Sequence, residues 1–111
     1  MRPRLLPLRA LATDLARRLG SGNVLPYPWP PGARLRYQVA IEVRQFQAVS
    51  GSGAILDVSW RIEDPATRRT LRRESASFRE PIAGDGYGAV AAAESRLIAQ
   101  LADAVARSLR F

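Results

Sequence analysis

The hydrophobic and polar positions of residues 34–81 alternate, and this pattern predicts three consecutive antiparallel strands. In a half-buried strand successive side chains leave opposite faces of the sheet, so apolar residues recur at every second position. The first predicted strand has this pattern at Leu35, Tyr37, Val39, Ile41 and Val43. The second has it at Ala54, Leu56, Val58, Trp60 and Ile62. A weaker third strand is predicted from Thr70 to about Glu80.

The connections between these strands contain residues that favour turns, and the first strand contains an irregularity. Glycines in the segment 50–53 can adopt positive φ without steric cost, and Pro65 breaks the second strand. Val43 lies on the apolar face of the first strand, but the next large apolar residue is Phe46, which shifts the alternation by one position. Such a shift exchanges the two faces unless an extra residue absorbs it, so we predict a β-bulge near Arg44–Gln45.

Two segments have the three- and four-residue spacing of apolar positions that is typical of amphipathic helices. The first covers residues 8–19, and Gly20 suits the position just after its end. Its predicted buried stripe consists of Leu8, Leu11, Ala12, Leu15, Ala16 and Leu19. The second starts at residue 88 or 89 and ends at about Ser108, and Asp85 is placed to favour its N-terminus. Its core positions are Val90, Ala93, Leu97, Ile98, Leu101, Val105 and Leu109.

A proline-rich segment connects the first helix to the sheet. Val24 and Leu25 suit a short edge strand, but the four prolines of residues 26–31 exclude a central strand, because proline has no backbone N–H. We expect this segment to run extended. Tyr27 and Trp29 have two interpretations: they pack over the edge of the sheet, which we favour because aromatic residues are more often buried, or they form an exposed patch that binds a partner.

Together these elements predict a single two-layer α+β domain over residues 1–111, with residues 1–7 as a basic lead-in and residues 8–110 as the folded part. The sheet is mainly antiparallel and consists of the three-strand meander plus the short edge strand. Its apolar face has to be covered, and the two helices are the segments available to cover it. We therefore expect both helices to pack on one face, which leaves the opposite, charged face open.

The composition of the chain excludes most kinds of catalytic and metal site. There is neither Cys nor His, which excludes disulfides, thiolate chemistry, Ser–His or Cys–His nucleophile pairs and the usual zinc and iron sites. Asp57, Glu63 and Asp64 are the carboxylates considered for acid–base chemistry, but they lie apart, on the solvated face or in a turn. We therefore predict no enzyme activity and no cofactor.

Seventeen basic residues, all of them arginine, and ten acidic residues give the chain a net charge of +7 at pH 7. The most basic part of the chain contains Arg68, Arg69, Arg72 and Arg73. The order helix–strand–strand–strand–helix is also that of the double-stranded-RNA-binding domain, which makes a basic RNA-binding module the alternative interpretation. That family contacts RNA through a basic cluster at the start of its second helix, whereas residues 88–94 carry no positive charge here. Nucleic acid is therefore the less favoured partner.

Several short motifs along the chain are specific enough to compare with a known family. They are Leu-Ala-Arg-Arg-Leu-Gly at 15–20, Val24, Tyr-Pro-Trp at 27–29, Tyr-Gln-Val-Ala-Ile at 37–41 and the segment 54–62. With these motifs and its late helix, the chain resembles the ABC-type transport auxiliary lipoprotein family over roughly residues 8–110. This family includes small lipoproteins encoded with MCE-type lipid transport systems and with the paraquat-inducible Pqi system.

The resemblance implies a non-enzymatic accessory component of an ABC/MCE-type envelope lipid transport system, which acts by docking to other proteins. The partners that it implies are MCE-domain or ABC transporter subunits. It also implies a periplasmic location, with an acylated Cys that tethers the full-length protein to the outer or inner membrane. The candidate contact residues are Tyr27, Trp29, Arg36, Arg44 and Arg61.

The start of the chain differs from the pattern that the resemblance implies. Residues 1–9 are basic but have no apolar core for a signal peptide, no Cys provides a lipobox, and no strand precedes the first helix. We therefore expect membrane tethering only if a lipobox lies upstream of these residues. A sheet that lacks its first strand has an unpaired edge, so we expect the chain to be marginally stable or to form a homo-oligomer.

Overall fold

Two helices and a three-stranded antiparallel sheet make up the computed structural model of the protein, which describes residues 5–20, 24–49, 51–84 and 86–111. The elements in chain order are α1 (Leu8–Leu19), β1 (Gln38–Val49), β2 (Gly53–Glu63), β3 (Thr70–Pro81) and α2 (Tyr87–Ser108). The strands lie in the order β1–β2–β3, and both neighbouring pairs are antiparallel. The predicted α+β fold and its three-strand meander are therefore confirmed.

The central strand β2 supplies the sheet's side of the core. Its alternate side chains are buried, as the pattern predicted: Ala54, Leu56, Val58, Trp60 and Ile62. Helix α2 covers them with the buried side chains of Ala93, Leu97, Leu101 and Val105. Complete burial of one large aliphatic side chain stabilises the fold by roughly 1.5–3 kcal/mol, so this contact between sheet and helix is the main source of stability.

The predicted bulge in β1 is present at the expected position. The pairing between β1 and β2 shifts between Val43 and Gln45, so Arg44 is an extra residue on β1. Because of this extra residue, Phe46 returns to the core side of the sheet, where it is buried opposite Leu56.

Helix α1 has the predicted bounds, but its buried stripe is narrower than predicted. Leu11 and Leu15 are buried in the same core as the sheet residues, whereas Leu8 and Leu19 are 45% and 38% exposed. The reason is that the backbone of α1 lies against α2 and not against a strand, so only the middle of the helix meets another element. Gly20 follows the helix in the left-handed conformation with φ 65°, as its position predicted.

Helix α2 begins at Tyr87, slightly before the predicted start, and ends at Ser108 as predicted. Its N-cap position is Gly86, without a side-chain cap. Asp85, which was expected to favour this end, and Ser50 of the β1–β2 turn lie outside the described residues. The buried residues of the helix are Ala93, Leu97, Ile98, Leu101, Ala102, Val105, Ala106 and Ser108.

The prediction of a short edge strand at Val24 and Leu25 is wrong. Residues 24–26 form no strand, and the sheet of the described part of the chain has three strands. The prolines of this segment lack the N–H donors that a strand needs for a ladder of hydrogen bonds. Val24 packs its side chain against the core instead, while Leu25 is exposed.

The C-terminal end of α2 is fixed to the sheet by side chains from two strands. Trp60 Nε1 donates a hydrogen bond to Ser108 Oγ at 3.0 Å, and Ser108 Oγ donates to the Val105 carbonyl at 2.8 Å. From β3, Arg72 Nη1 donates to the Ser108 carbonyl at 3.0 Å. Carbonyls at a helix end have no partner within the helix, so Arg72 satisfies a group that would otherwise need water.

A second set of contacts fixes α2 to the end of β3 through Glu80. Gln100 Nε2 donates to Glu80 Oε2 at 2.7 Å, and Arg96 forms an ion pair with the other carboxylate oxygen. Arg96 Nη2 also donates to the Pro81 carbonyl at 3.1 Å. The helix is thus held over the sheet at two separate points.

The β2–β3 turn is organised by Asp64. Its Oδ1 accepts hydrogen bonds from Ala66 N at 2.9 Å and Thr67 N at 3.4 Å, and its carbonyl accepts one from Arg68 N at 2.7 Å. This turn holds Arg68 at φ 60°. The left-handed region costs a residue with a Cβ about 1 kcal/mol or more, so the turn stores backbone strain at Arg68.

We expect Arg68→Gly to raise the free energy of unfolding by up to about 1 kcal/mol, because glycine adopts this φ without a clash of Cβ. The measurement is the midpoint of urea unfolding. Arg69→Gly is the matched control: Arg69 is not in the positive-φ region, so there glycine only adds freedom to the unfolded chain and lowers the midpoint. Equal decreases for both variants would contradict the strain at Arg68.

Candidate partner-binding surface

The face of the sheet opposite the helices is polar, and we call it the open face. Alternate residues of β2 point into the core, so the residues between them point to this face. The open face has a shallow depression of about 490 Å³. Residues from all three strands line it, among them Ala40, Glu42, Arg44, Ser59, Arg61, Arg73 and Ser75.

Arg44, the extra residue of the bulge, is held on the open face by Asp57. Its Nη2 donates to Asp57 Oδ1 at 2.9 Å and to the Val58 carbonyl at 3.3 Å. The hydrogen bond to Asp57 is the main reason that the pKa of the Arg44 guanidinium is raised above its usual range. The side chain is therefore a fixed positive charge at every physiological pH.

Arg61 and Arg73 are directly opposite each other on β2 and β3. Like charges in this arrangement destabilise a pair of strands unless a counter-charge lies nearby. Arg61 has one, because its Nε donates to Glu63 Oε2 at 2.9 Å. Within the described ranges neither Arg73 nor Glu42, which also lines the depression, has an ion pair, so the depression contains one unpaired charge of each sign.

Each of the carboxylates considered for acid–base chemistry has a structural role. Asp57 pairs with Arg44, Glu63 pairs with Arg61, and Asp64 accepts the backbone N–H groups of the turn. These three groups do not converge on a common point.

Tyr27 and Trp29 pack against each other and lie away from the core. Their rings form an edge-to-face pair with centroids 5.2 Å apart, and Trp29 Nε1 donates to the Leu25 carbonyl at 3.1 Å. Tyr27 is 70% exposed, and neither ring belongs to the hydrophobic core, so the favoured prediction that the pair packs over the sheet edge is wrong for Tyr27. Neither ring lines the depression that contains Arg44 and Arg61.

Arg36 also lies apart from the depression and belongs to a stack near the start of β1. Its guanidinium is 5.4 Å from the centroid of the Tyr37 ring, and Tyr37 stacks on Phe111 with centroids 5.3 Å apart. Arg72 lies 4.7 Å from the centre of the Phe111 ring. These contacts connect Phe111 to the segment just before β1 and to β3.

The structure thus brings together two of the five candidate contact residues, Arg44 and Arg61, and separates Tyr27, Trp29 and Arg36 from them. It adds Arg73 to the site, with the hydroxyls of Ser59 and Ser75. The sequence analysis assigned Arg73 to the alternative RNA-binding surface, although the alternation of β3 indicates that it lies on the open face. Because Ala76 and Phe78 mark the core face, odd-numbered residues of this strand must point to the open face.

The four arginines of the alternative RNA-binding interpretation do not form one surface. Arg68 and Arg69 lie at the β2–β3 turn. Arg73 lines the depression on the open face, whereas Arg72 contacts the C-terminal end of α2 on the other side of the sheet. Successive residues of a strand point to opposite faces, so a run of four arginines cannot present all its charges to one ligand.

In the described part of the chain, no group of three or more acidic side chains is arranged to hold a metal ion. Neither helix among the described residues is long and apolar enough to cross a membrane.

Residues 8–106 match the family model of the ABC-type transport auxiliary lipoprotein component. Comparison with curated proteins gives no match.

Among solved structures, an uncharacterised protein superposes with a TM-score of 0.70 at 15% identity, over 89% of this chain and 61% of its own length. A Xanthomonas campestris protein of the DUF330 family gives a TM-score of 0.58 at 22% identity, over 65% of this chain and 44% of its own. A lipoprotein candidate from Caulobacter crescentus gives 0.61 at 19% identity, over 91% of this chain and 78% of its own. At these identities the likeness concerns the fold, and the chain spans less than two thirds of the first two structures.

Proposed function

The chain belongs to the family of ABC-type transport auxiliary lipoprotein components, and from this membership we propose that it is a non-enzymatic accessory subunit of an ABC/MCE-type transporter that moves lipid in the cell envelope. The family match over residues 8–106 is the observation that carries the proposal. In this role the protein works at the membrane surface of the periplasm and contributes binding surfaces, while other subunits supply ATP hydrolysis and the lipid pathway.

We propose that the open face is the docking surface for a transporter subunit. The depression is shallow and polar, whereas sites for small molecules are concave and mostly apolar, so its shape suits a protein better than a small ligand. Arg44 and Arg61 are held in position by carboxylates, while Arg73 and Glu42 have no ion pair among the described residues. This mixed charge pattern suits a surface with charges of both signs on an MCE-domain or permease subunit, because complementary charge directs association and fixes the orientation of the partners.

The exposed pair of Tyr27 and Trp29 is a second contact in this proposal. Aromatic residues are enriched at protein interfaces, and an edge-to-face pair loses little side-chain freedom on binding because each ring already restricts the other.

Removal of two guanidinium groups of the open face is expected to weaken binding to the partner subunit about tenfold, or about 1.4 kcal/mol. The variant is Arg44→Ala/Arg61→Ala. The measurement is biolayer interferometry of the immobilised chain against the purified MCE-domain protein and the purified permease of the same transporter. The loss should be greater at low ionic strength, because salt screens exposed charges.

The matched control is Arg17→Ala/Arg107→Ala. It removes the same charge from the helical layer, where both arginines are exposed and each pairs with an aspartate on its own helix. The control is expected to bind like the wild type. Absence of binding to both subunits would contradict the accessory role, and equal affinities of the two double variants would contradict docking through the open face.

A further inference from the structure

A group of exposed arginines lies at one end of the sheet, and we call this part of the molecule the basic end. It consists of Arg36 just before β1, Arg68 and Arg69 in the β2–β3 turn, and Arg110 just after α2. Within the described residues none of these arginines forms an ion pair. Their positive charges are therefore available to an external partner.

The fold brings these arginines together from three separate parts of the chain. The first residue of β1 is opposite the last residue of β2, so Arg36 lies on the same side as the β2–β3 turn. At the start of β3, Arg72 donates to the Ser108 carbonyl, so the end of α2 lies there as well, and with it Arg110. A strand of twelve residues spans roughly 40 Å, and the longest dimension of the molecule is 46 Å. The basic end is therefore a narrow tip of an elongated domain.

The carboxylates near the basic end do not neutralise it. Glu63 forms an ion pair with Arg61, and Asp64 accepts the backbone N–H groups of the turn. The opposite end of the sheet has no comparable charge, because residues 50–52 and 82–86 contain no basic residue. The connecting segments thus make one end of the sheet positive and leave the other without arginine.

Exposed apolar side chains lie among these arginines. Leu71 is exposed and is the extra residue where the pairing of β2 and β3 shifts beside the turn. Phe111 is also exposed, with its ring stacked on Tyr37 and beside the guanidinium of Arg72. Cationic side chains next to leucine and phenylalanine are typical of protein surfaces that lie at the boundary between lipid headgroups and acyl chains.

We propose that the basic end binds the surface of an anionic phospholipid bilayer, with its guanidinium groups on lipid phosphates and Leu71 among the headgroups. Arginine suits this contact because its planar group of N–H donors matches the geometry of phosphate. The charge of anionic lipids attracts basic segments that lie within a Debye length of the membrane.

The shape of the basic end favours a bilayer over a nucleic acid. Proteins that bind single-stranded nucleic acids hold the backbone in a positively charged groove. None of the four arginines lines the depression of the open face or the cavity between the two helices. A projecting tip with charges from several elements suits a flat, extended surface better than a single strand.

The choice of lipid as the partner rests on the proposed function in the cell envelope, but the two proposals can fail separately. The basic end and the open face are different surfaces, and each has its own assay. Binding to the transporter subunit without binding to vesicles would overturn the membrane contact and leave the accessory role intact.

Co-sedimentation of the full chain with lipid vesicles tests the contact. The wild type is expected to bind vesicles of phosphatidylethanolamine and phosphatidylglycerol, to lose binding at high salt, and not to bind vesicles of phosphatidylcholine. Arg68→Gln/Arg69→Gln should weaken binding by at least about tenfold, because each arginine near an anionic surface contributes about fivefold in affinity. Absence of binding to the anionic vesicles would overturn the proposal.

The matched control is Arg9→Gln/Arg79→Gln, which removes the same charge from the other end of the molecule. Both arginines are exposed and have no ion pair among the described residues. Arg79 lies near the end of β3, and Arg9 lies near the start of α1, which lines a cavity together with the start of α2. This variant should bind the vesicles within about twofold of the wild type. Equal losses for the two double variants would mean that net charge alone causes binding, and would overturn a contact through the basic end.

Leu71→Ala separates a bilayer from other acidic partners. We expect it to weaken vesicle binding by at least about threefold, because a bilayer takes up apolar side chains as well as charge. Its control is Val49→Ala, which truncates an exposed apolar residue at the opposite end of the sheet and should have no effect. The same variants are measured against single-stranded RNA at the same salt concentration. Tighter binding to RNA than to the vesicles, with no effect of Leu71→Ala on either, would overturn the bilayer in favour of nucleic acid.

Discussion

Replacement of Trp60 by alanine is expected to lower the free energy of unfolding by about 3–5 kcal/mol. Trp60 is 4% exposed, and its ring fills the space between β2 and the C-terminal end of α2. The substitution removes the packing of the indole and leaves a cavity that the sheet and the helix cannot both close. Single domains are stable by only about 5–15 kcal/mol, so the variant loses a large part of its stability.

The measurement is urea unfolding followed by circular dichroism, with Trp60→Phe as the variant that keeps most of the packing. Trp60→Phe removes the indole donor but retains an aromatic ring. We expect it to lower the unfolding free energy by less than half as much as Trp60→Ala. Equal losses for the two variants would show that the hydrogen bond, and not the volume, determines the contribution of Trp60.

The hydrogen bond itself can be measured by a double-mutant cycle with Ser108→Ala. Ser108→Ala alone leaves the buried indole N–H without an acceptor, and the cost of such a group is about 1–3 kcal/mol. In Trp60→Phe/Ser108→Ala neither partner remains, so the double loss should be smaller than the sum of the single losses by about 1 kcal/mol. Additive losses would contradict a stabilising bond between these residues.

The contact between Trp60 and Ser108 also shows where sequence reasoning reaches its limit. The alternation of β2 predicts that Trp60 is buried, and the helical spacing predicts Leu109 in the core. The structure instead buries Ser108 and leaves Leu109 half-buried. A helical pattern identifies apolar positions, but it contains no information about a donor on a distant strand that requires a hydroxyl at the helix end.

The predictions that succeeded depend on neighbouring residues. The bulge at Arg44 follows from the spacing of Val43 and Phe46, and the end of α1 follows from the freedom of Gly20 to adopt positive φ. The exposure of Leu8 and Leu19 could not be predicted in this way. Which part of an amphipathic helix is covered depends on the length and angle of the element against it, and here that element is another helix.

The same distinction applies to the candidate site. The two-residue alternation of apolar and polar positions predicts that Arg44 and Arg61 lie on the open face, and in the structure both line one depression. The alternation could not reveal that Arg61 is opposite Arg73. The register of β2 and β3 depends on the length of the turn at Asp64 and on the irregularity between Ile62 and Glu63. The proposed docking surface therefore required the strand pairing as well as the pattern.

Leu56→Ala is expected to lower the free energy of unfolding by about 2–5 kcal/mol, while Leu71→Ala changes it by less than about 0.5 kcal/mol. Both are strand leucines, but Leu56 is 0% exposed and Leu71 is 44% exposed. Leu56 lies on the central strand opposite Phe46 and Phe78, so truncation leaves a cavity between two aromatic side chains. Urea unfolding of both variants measures the difference. Similar losses would mean that the helices do not cover the centre of the sheet, and the buried face on which this architecture depends would not exist.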